Sequence, residues 1–283
     1  LFGLLGGTFV MSESLDQAIL ADAFTQARLK VQWADQHFRQ AQAWWQRYLE
    51  SDFHELRVDR DPETGNQFIT FEVNPVYAPL ILSVGDGFHN LSAALDYVMS
   101  GLMRAAGKAT ARVTFPSHET REALHQSFMA PRPGKPPNTN RRIVEAVPWI
   151  QRLLTETVKP YRGGDFRVWE VRQLDNIDKH NLIVPSIPYV KVTGLDAVDA
   201  QGKHGMRSAT VEVPTGSRIA LASFASGTDL KVTNKGKATA EITFAEGLEV
   251  FAGEPLFPTA SQCLQLIREV VDLIAAEASA SPA

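Results

Sequence analysis

Two short polar clusters carry the residue types that could do chemistry. The first is Asp86, His89, Asn90 and Asp96; the second is Asp175, Asp178, Lys179 and His180. Separations of three, four or seven residues bring side chains onto neighbouring parts of one helix face. Carboxylates beside imidazoles admit three readings. In the first, Lys179 or His180 pairs with Asp86 or Asp96 and sets helix register, because an unpaired charge beside a core is costly. In the second, His89 and His180 join Asp86, Asp96, Asp175 or Asp178 around a metal ion. Neither an ExxH nor an HExxH spacing falls on these histidines, and no metal or cofactor is assigned. In the third, histidine and lysine do general acid–base chemistry or hold RNA phosphates, with His89, Asp96, Asp178 and His180 as the catalytic candidates. All eight residues are candidate binding residues.

The elements that must position them follow from hydrophobic period. Ile81, Val84, Phe88, Leu91, Leu95, Val98 and Leu102 alternate steps of three and four, the seam of a packed helix running to about Ala106. At roughly 100° per residue, Asp86, His89, Ala93 and Asp96 form a stripe beside that seam. Gly85 and Gly87 each cost such a helix about 1 kcal/mol relative to alanine. They imply either a close approach by a neighbouring backbone or a break in the helix at the polar stripe. An earlier helix spans about Leu15 to Glu50, its seam being Leu20, Phe24, Ala27, Val31, Ala34, Phe38, Ala41, Trp45 and Tyr48. Trp33 and Trp44 lie off that seam, available to cover its flank or to meet a second copy in a homodimer. Between the two helices, residues 55–73 alternate on either side of a Pro-Glu-Thr-Gly-Asn turn, which predicts a β-hairpin.

Residues 107–140 read as the least regular part, and the proline-rich run from 130 to 140 as a surface loop. From 131 to 172 nine Lys/Arg face four Asp/Glu, a basic stretch that fits a solvated face or a site for phosphate-bearing partners. A helix from Pro148 to Val158 ends at Pro160 and the Gly163-Gly164 pair. A further helix, through Phe166, Trp169, Val171, Leu174 and Ile177, delivers the second polar cluster. After Pro185 the period drops to two. Strands are expected at 189–192, 209–213, 219–222, 230–233 and 240–244, with a sixth at 248–251. His204 lies in a Gly-flanked loop and reads as exposed. A last helix, 256–278, has a broad apolar face of Leu264, Ile267, Val270, Val271 and Ile274.

The predicted class is therefore α+β: an antiparallel helical bundle with an N-terminal β-hairpin and a β-rich insertion before the last helix. The bundle occupies 12–181, the insertion 184–252, and helix 256–278 completes the bundle. The chain has 283 residues, 44% hydrophobic and 21% charged, ample for a core. A net charge of −4 gives no overall footprint for nucleic acid or an anionic membrane. A single cysteine, Cys263, within an apolar helical pattern reads as a core thiol and fits a reducing, cytoplasmic setting. Leu1–Val10 is apolar but lacks a basic leader region and is too short to span a bilayer. It reads as translated upstream sequence or a tail. No GxGxxG, P-loop, GxSxG or CxxC signal occurs. Asn90-Leu91-Ser92 matches a glycosylation sequon, but its mid-helix position discounts it.

At its two polar motifs the chain resembles a family of uncharacterised bacterial and phage proteins. That family's patterns are G-D-x-x-H-N-L-R-S-A-L-D-H and L-D-x-x-D-K-H-R. The first corresponds to Gly85–Tyr97 here, and the second to Leu174–Asn181. The R-x4-H unit in the first pattern is similar to the signature of HEPN-type ribonucleases, helical bundles that often dimerise. This resemblance implies an RNA-processing or phage-defence role. The chain departs from it at Ser92, Tyr97 and Asn181, where the patterns carry arginine, histidine and arginine. Losing those groups removes phosphate stabilisation and a proton donor or acceptor. The leading expectation is a non-catalytic cytoplasmic binding protein. A HEPN-like RNA-processing protein is second and a metal-dependent hydrolase third.

Overall fold

The computed structural model describes residues 15–129, 138–183, 185–202, 205–214 and 219–280. Leu1–Val10, the 130–137 part of the proline-rich run, and His204 lie outside the described residues. The class is α+β, with antiparallel helices, an N-terminal hairpin and a β-rich region before the last helix. No helix among the described residues is long and apolar enough to cross a membrane.

Two compact units divide the chain. The first gathers the described parts of Leu1–Asp35, Gly87–Asp175 and Gln262–Ala283. The second gathers Gln36–Asp86 and Asn176–Ser261. These cuts differ from the sequence division at 181/184 and 252/256, because four long helices each contribute to both units.

In the first unit, α1 (Gln17–Glu50) starts at Asp16, whose carboxylate accepts from the amides of Ala18 and Ile19 at 2.9 and 3.1 Å. That satisfies two of the donors a helix start leaves open. Here α1 runs antiparallel to α2 (Ala78–Ala105): the Asp16 amide donates to the Ala105 carbonyl at 3.0 Å. Gly101 faces Ala23 so closely that a Cβ on it would fall 2.2 Å from the alanine Cβ. Leu20, Phe24, Ala27, Val31 and Ala34 are buried as the seam requires, as are Phe88, Leu91, Leu95, Val98 and Leu102 on α2. Each large apolar side chain so buried is worth about 1.5–3 kcal/mol.

One unpredicted helix lies inside the stretch read as irregular and a second begins at its end. They are α3 (Arg121–Ser127), capped by Thr120 on the Ala123 amide, and α4 (Thr139–Ala146), capped by Asn138 on the Arg141 amide. Seven and eight residues are too few to display a period, but the caps were visible as Thr and Asn. Next, α5 (Trp149–Arg152) widens into a π-helical turn over Leu153–Val158. The unit closes with α6 (Phe166–His180) as far as Asp175, and most of α7 (Leu256–Ala280).

In the second unit, β1 (His54–Arg60) and β2 (Gln67–Val73) form the expected hairpin, with His54 opposite Val73 and Arg60 opposite Gln67. Its turn closes through Asp61, whose carboxylate accepts from the Glu63 and Thr64 amides, while Gly65 takes the left-handed φ of +73°. The hairpin does not stand alone, because β6 (Ile219–Phe224) adds to β2 and gives the order β1-β2-β6. A second sheet has the order β5-β4-β7, from β4 (Tyr189–Val198), β5 (Gly205–Pro214) and β7 (Lys231–Ala240). The two-residue strands β3 (Pro185–Ser186) and β8 (Thr243–Phe244) pair with each other.

Three strand expectations need correcting. The strand expected at 230–233 continues to Ala240: the ladder passes Gly236, at φ +73°, without a change of register, from Thr193–Lys237 to Leu195–Lys235, and shifts only at Thr233, between the pairs Asp196–Asn234 and Ala197–Val232. The strand expected at 240–244 shrinks to Thr243–Phe244, and 248–251 forms no strand. The core of this unit centres on Tyr48, stacked on Trp45 at 5.3 Å and edge-on to Tyr77 at 5.4 Å.

Candidate functional site

Within the first unit, α2 and α6 bring four of the eight residues together. His89 Nδ1 lies 2.9 Å from Asp175 Oδ1; the imidazole is 51% exposed and the carboxylate 4%. An ionised carboxylate can only accept, so Nδ1 carries the proton and Nε2 is left as the ring's other functional nitrogen. One turn back on α6, Arg172 donates to Asp96 Oδ1 at 2.7 Å and reaches Ser92 Oγ at 3.4 Å. Asp96 Oδ1 also accepts from the Phe115 amide at 2.8 Å. Asn90, buried, accepts from Lys30 Nζ of α1 at 3.0 Å. The same ammonium lies 5.9 Å from the Tyr97 ring centre, a cation–π distance.

These contacts form an interhelical polar network in which Asp96 and Asp175 are each matched to a donor. The spacing explains why. His89 and Asp96 are two helical turns apart on α2, and Asp175 and Arg172 are one turn apart on α6. The long arginine side chain spans the difference between the two intervals.

The remaining four residues belong to the second unit. Asp178 lays its carboxylate against Gly85, where a Cβ would fall 2.6 Å from Oδ2. Its Oδ1 also accepts from the Ile183 amide at 3.4 Å. That settles the role of Gly85: α2 is unbroken there, and the glycine admits a neighbouring side chain, not a backbone. Asp86 is largely exposed and faces His37 Nδ1 at 3.9 Å, long for an ion pair. Lys179 and His180 occupy the exposed last turn of α6.

The pairing expected for Asp96 is thereby corrected. Asp96 takes Arg172, not Lys179 or His180, because α6 presents its Asp96-facing cation three residues before Asp175. Arg172, Lys30, Ser92 and His37 were missed. Arg172 carried a signal in its i−3 spacing from Asp175 on one helix face. Lys30 carried none, since it precedes a seam valine like any solvated lysine.

A cavity of about 340 Å³ adjoins the network, lined among others by Gln26, Asp96, Tyr97, Ser100 and Arg104. His89 does not line it. Among the described residues no three His, Cys, Asp or Glu side chains gather closely enough to hold a metal ion. The chain matches no protein-family model, no curated protein and no solved structure.

Proposed function

We propose that this chain is a non-catalytic cytoplasmic binding protein in which the α2 and α6 motifs act as a structural polar core. The observation that carries the reading is how Asp96 and Asp175 are engaged. Asp96 is held by the Arg172 guanidinium and a backbone amide, and Asp175 is sealed against His89. Groups engaged in this way fix helix register, and each would have to give up a partner before meeting a ligand. The buried lone thiol Cys263 fits a reducing compartment. Leu29 and Trp33, one turn apart on α1 and both more than half exposed, offer an apolar face for a homodimer.

One observation favours an RNA-processing role as the second reading. His89 is half exposed and its ring is oriented by a buried carboxylate, the arrangement a general base requires. Arg172 also supplies a guanidinium beside Ser92, the position where the resembling pattern carries arginine. Incubating total cellular RNA with purified protein, in magnesium and separately in excess EDTA, tests both readings. The binding reading expects no cleavage in either buffer. Cleavage that survives EDTA and disappears in His89→Ala, but not in His180→Ala, would overturn it in favour of the RNase reading.

A further inference from the structure

A second cavity of the first unit lies away from the motif network. It is an open cleft of about 690 Å³, lined by Arg121, Lys159 and Arg162 together with Thr120, Glu122 and Glu156. That volume falls in the range of small-molecule sites. The three cations come from two separate stretches of chain that are firmly tied together. The His118 amide donates to the Pro160 carbonyl at 3.2 Å and the Arg162 amide to the Glu119 carbonyl at 3.0 Å. Arg162 is held further by Glu119 at 3.2 Å and by stacking over Phe166 at 4.8 Å. Glu119 engages one guanidinium nitrogen, and the rest of the fork keeps its donors.

Lys159 is placed by an unusual piece of backbone. The π-helical turn over Leu153–Val158 ends with the Lys159 amide donating to the Leu154 carbonyl at 2.9 Å. Lys159 itself adopts the left-handed conformation at φ 49°, a helix-end position usually taken by glycine or asparagine. Tyr161, buried, donates its hydroxyl to the Thr155 carbonyl at 2.9 Å, so the turn and the π-helical wall move as one. An ammonium and two guanidinium groups around one preorganised cavity suit an anion with several acceptor oxygens. The two carboxylates on the wall would repel a bare anion. They are matched when the same ligand also brings hydroxyl or amino donors.

From this arrangement we propose that the cavity binds a small phosphate-bearing ligand of nucleotide size. Its phosphates meet Arg121, Lys159 and Arg162, and its sugar or base donors meet Glu122 and Glu156. Isothermal titration of the full chain at low salt, without divalent ions, tests this with ATP, inorganic pyrophosphate and adenosine as probes. ATP is expected to bind, pyrophosphate to bind more weakly, and adenosine to give no heat. Arg121→Gln and Lys159→Asn should each weaken ATP binding by about tenfold or more. Asparagine tolerates the left-handed backbone, so the second variant keeps the turn. Arg268→Gln on α7 serves as the charge control and should leave affinity unchanged. Unchanged ATP affinity in folded Arg121→Gln and Lys159→Asn, adenosine binding as well as ATP, or no heat from ATP would each overturn the proposal.

Discussion

Gly85 offers the sharpest test of how the second unit is packed. Replacing a mid-helix glycine by alanine ordinarily stabilises by about 1 kcal/mol. Here the added methyl would lie 2.6, 2.7 and 2.9 Å from the Oδ2, Oδ1 and Cγ atoms of Asp178. To regain ordinary contact the carboxylate must withdraw by about 0.8 Å, from 2.6 to 3.4 Å. Its bond to the Ile183 amide, already 3.4 Å, cannot survive much of that movement. Loss of a charge-assisted hydrogen bond together with overpacking costs roughly 2–3 kcal/mol. Gly85→Ala should therefore destabilise by a net of about 1–2 kcal/mol, opposite in sign to its helix propensity. In an Asp178→Ala background the clash is gone, and Gly85→Ala should stabilise by about 0.5–1 kcal/mol. The two effects differ by about 2 kcal/mol, a coupling measurable by urea denaturation of the four proteins in a double-mutant cycle. Equal effects of Gly85→Ala in both backgrounds would refute this account of the contact.

Three further outcomes follow from other buried groups. Arg172→Met leaves Asp96 only the Phe115 amide, and should cost about 2 kcal/mol in urea denaturation, between the values for exposed and buried pairs. A loss below about 0.5 kcal/mol would demote the pair to surface decoration. Tyr48, buried and donating its hydroxyl to the Asn74 carbonyl at 2.5 Å, is pushed by burial and then by Tyr77 from 10.0 up to about 12. The unfolded chain loses this proton first, so stability should fall as pH rises from about 10 to about 12, and Tyr48→Phe should flatten that limb in alkaline melting curves. His54 lies against the Phe53 and Phe71 rings, and neither ring nitrogen has a hydrogen-bond partner. Burial, then Lys235, lowers its pKa below the ordinary 6.5, with Asp52 opposing. The unfolded state therefore binds the proton more readily, and stability should decline as pH drops below about 6.5. His54→Phe should remove that decline.

The sequence by itself determined the long helices and their buried faces. On α1, Leu20 through Tyr48 are buried at every seam position, and on α2 so are Val84 through Leu102. A 3.6-residue period is a local property, and it dictates which face must leave water whatever the partner. The hairpin was legible for the same reason, since alternation and the Asp61–Asn66 turn lie within one short stretch. Tertiary structure alone decided the partners. Arg172 lies 76 residues from Asp96, Asp175 86 from His89, and Lys30 60 from Asn90. No short-range pattern distinguishes these side chains from other lysines, arginines and aspartates. Strand order is equally non-local: nothing in 219–224 says that it leaves its own neighbours to pair with 67–71, and nothing around Gly236 separates a continuing strand from a turn. The first kind of information is written in the spacing of apolar residues. The second comes from which surfaces meet when the chain closes on itself.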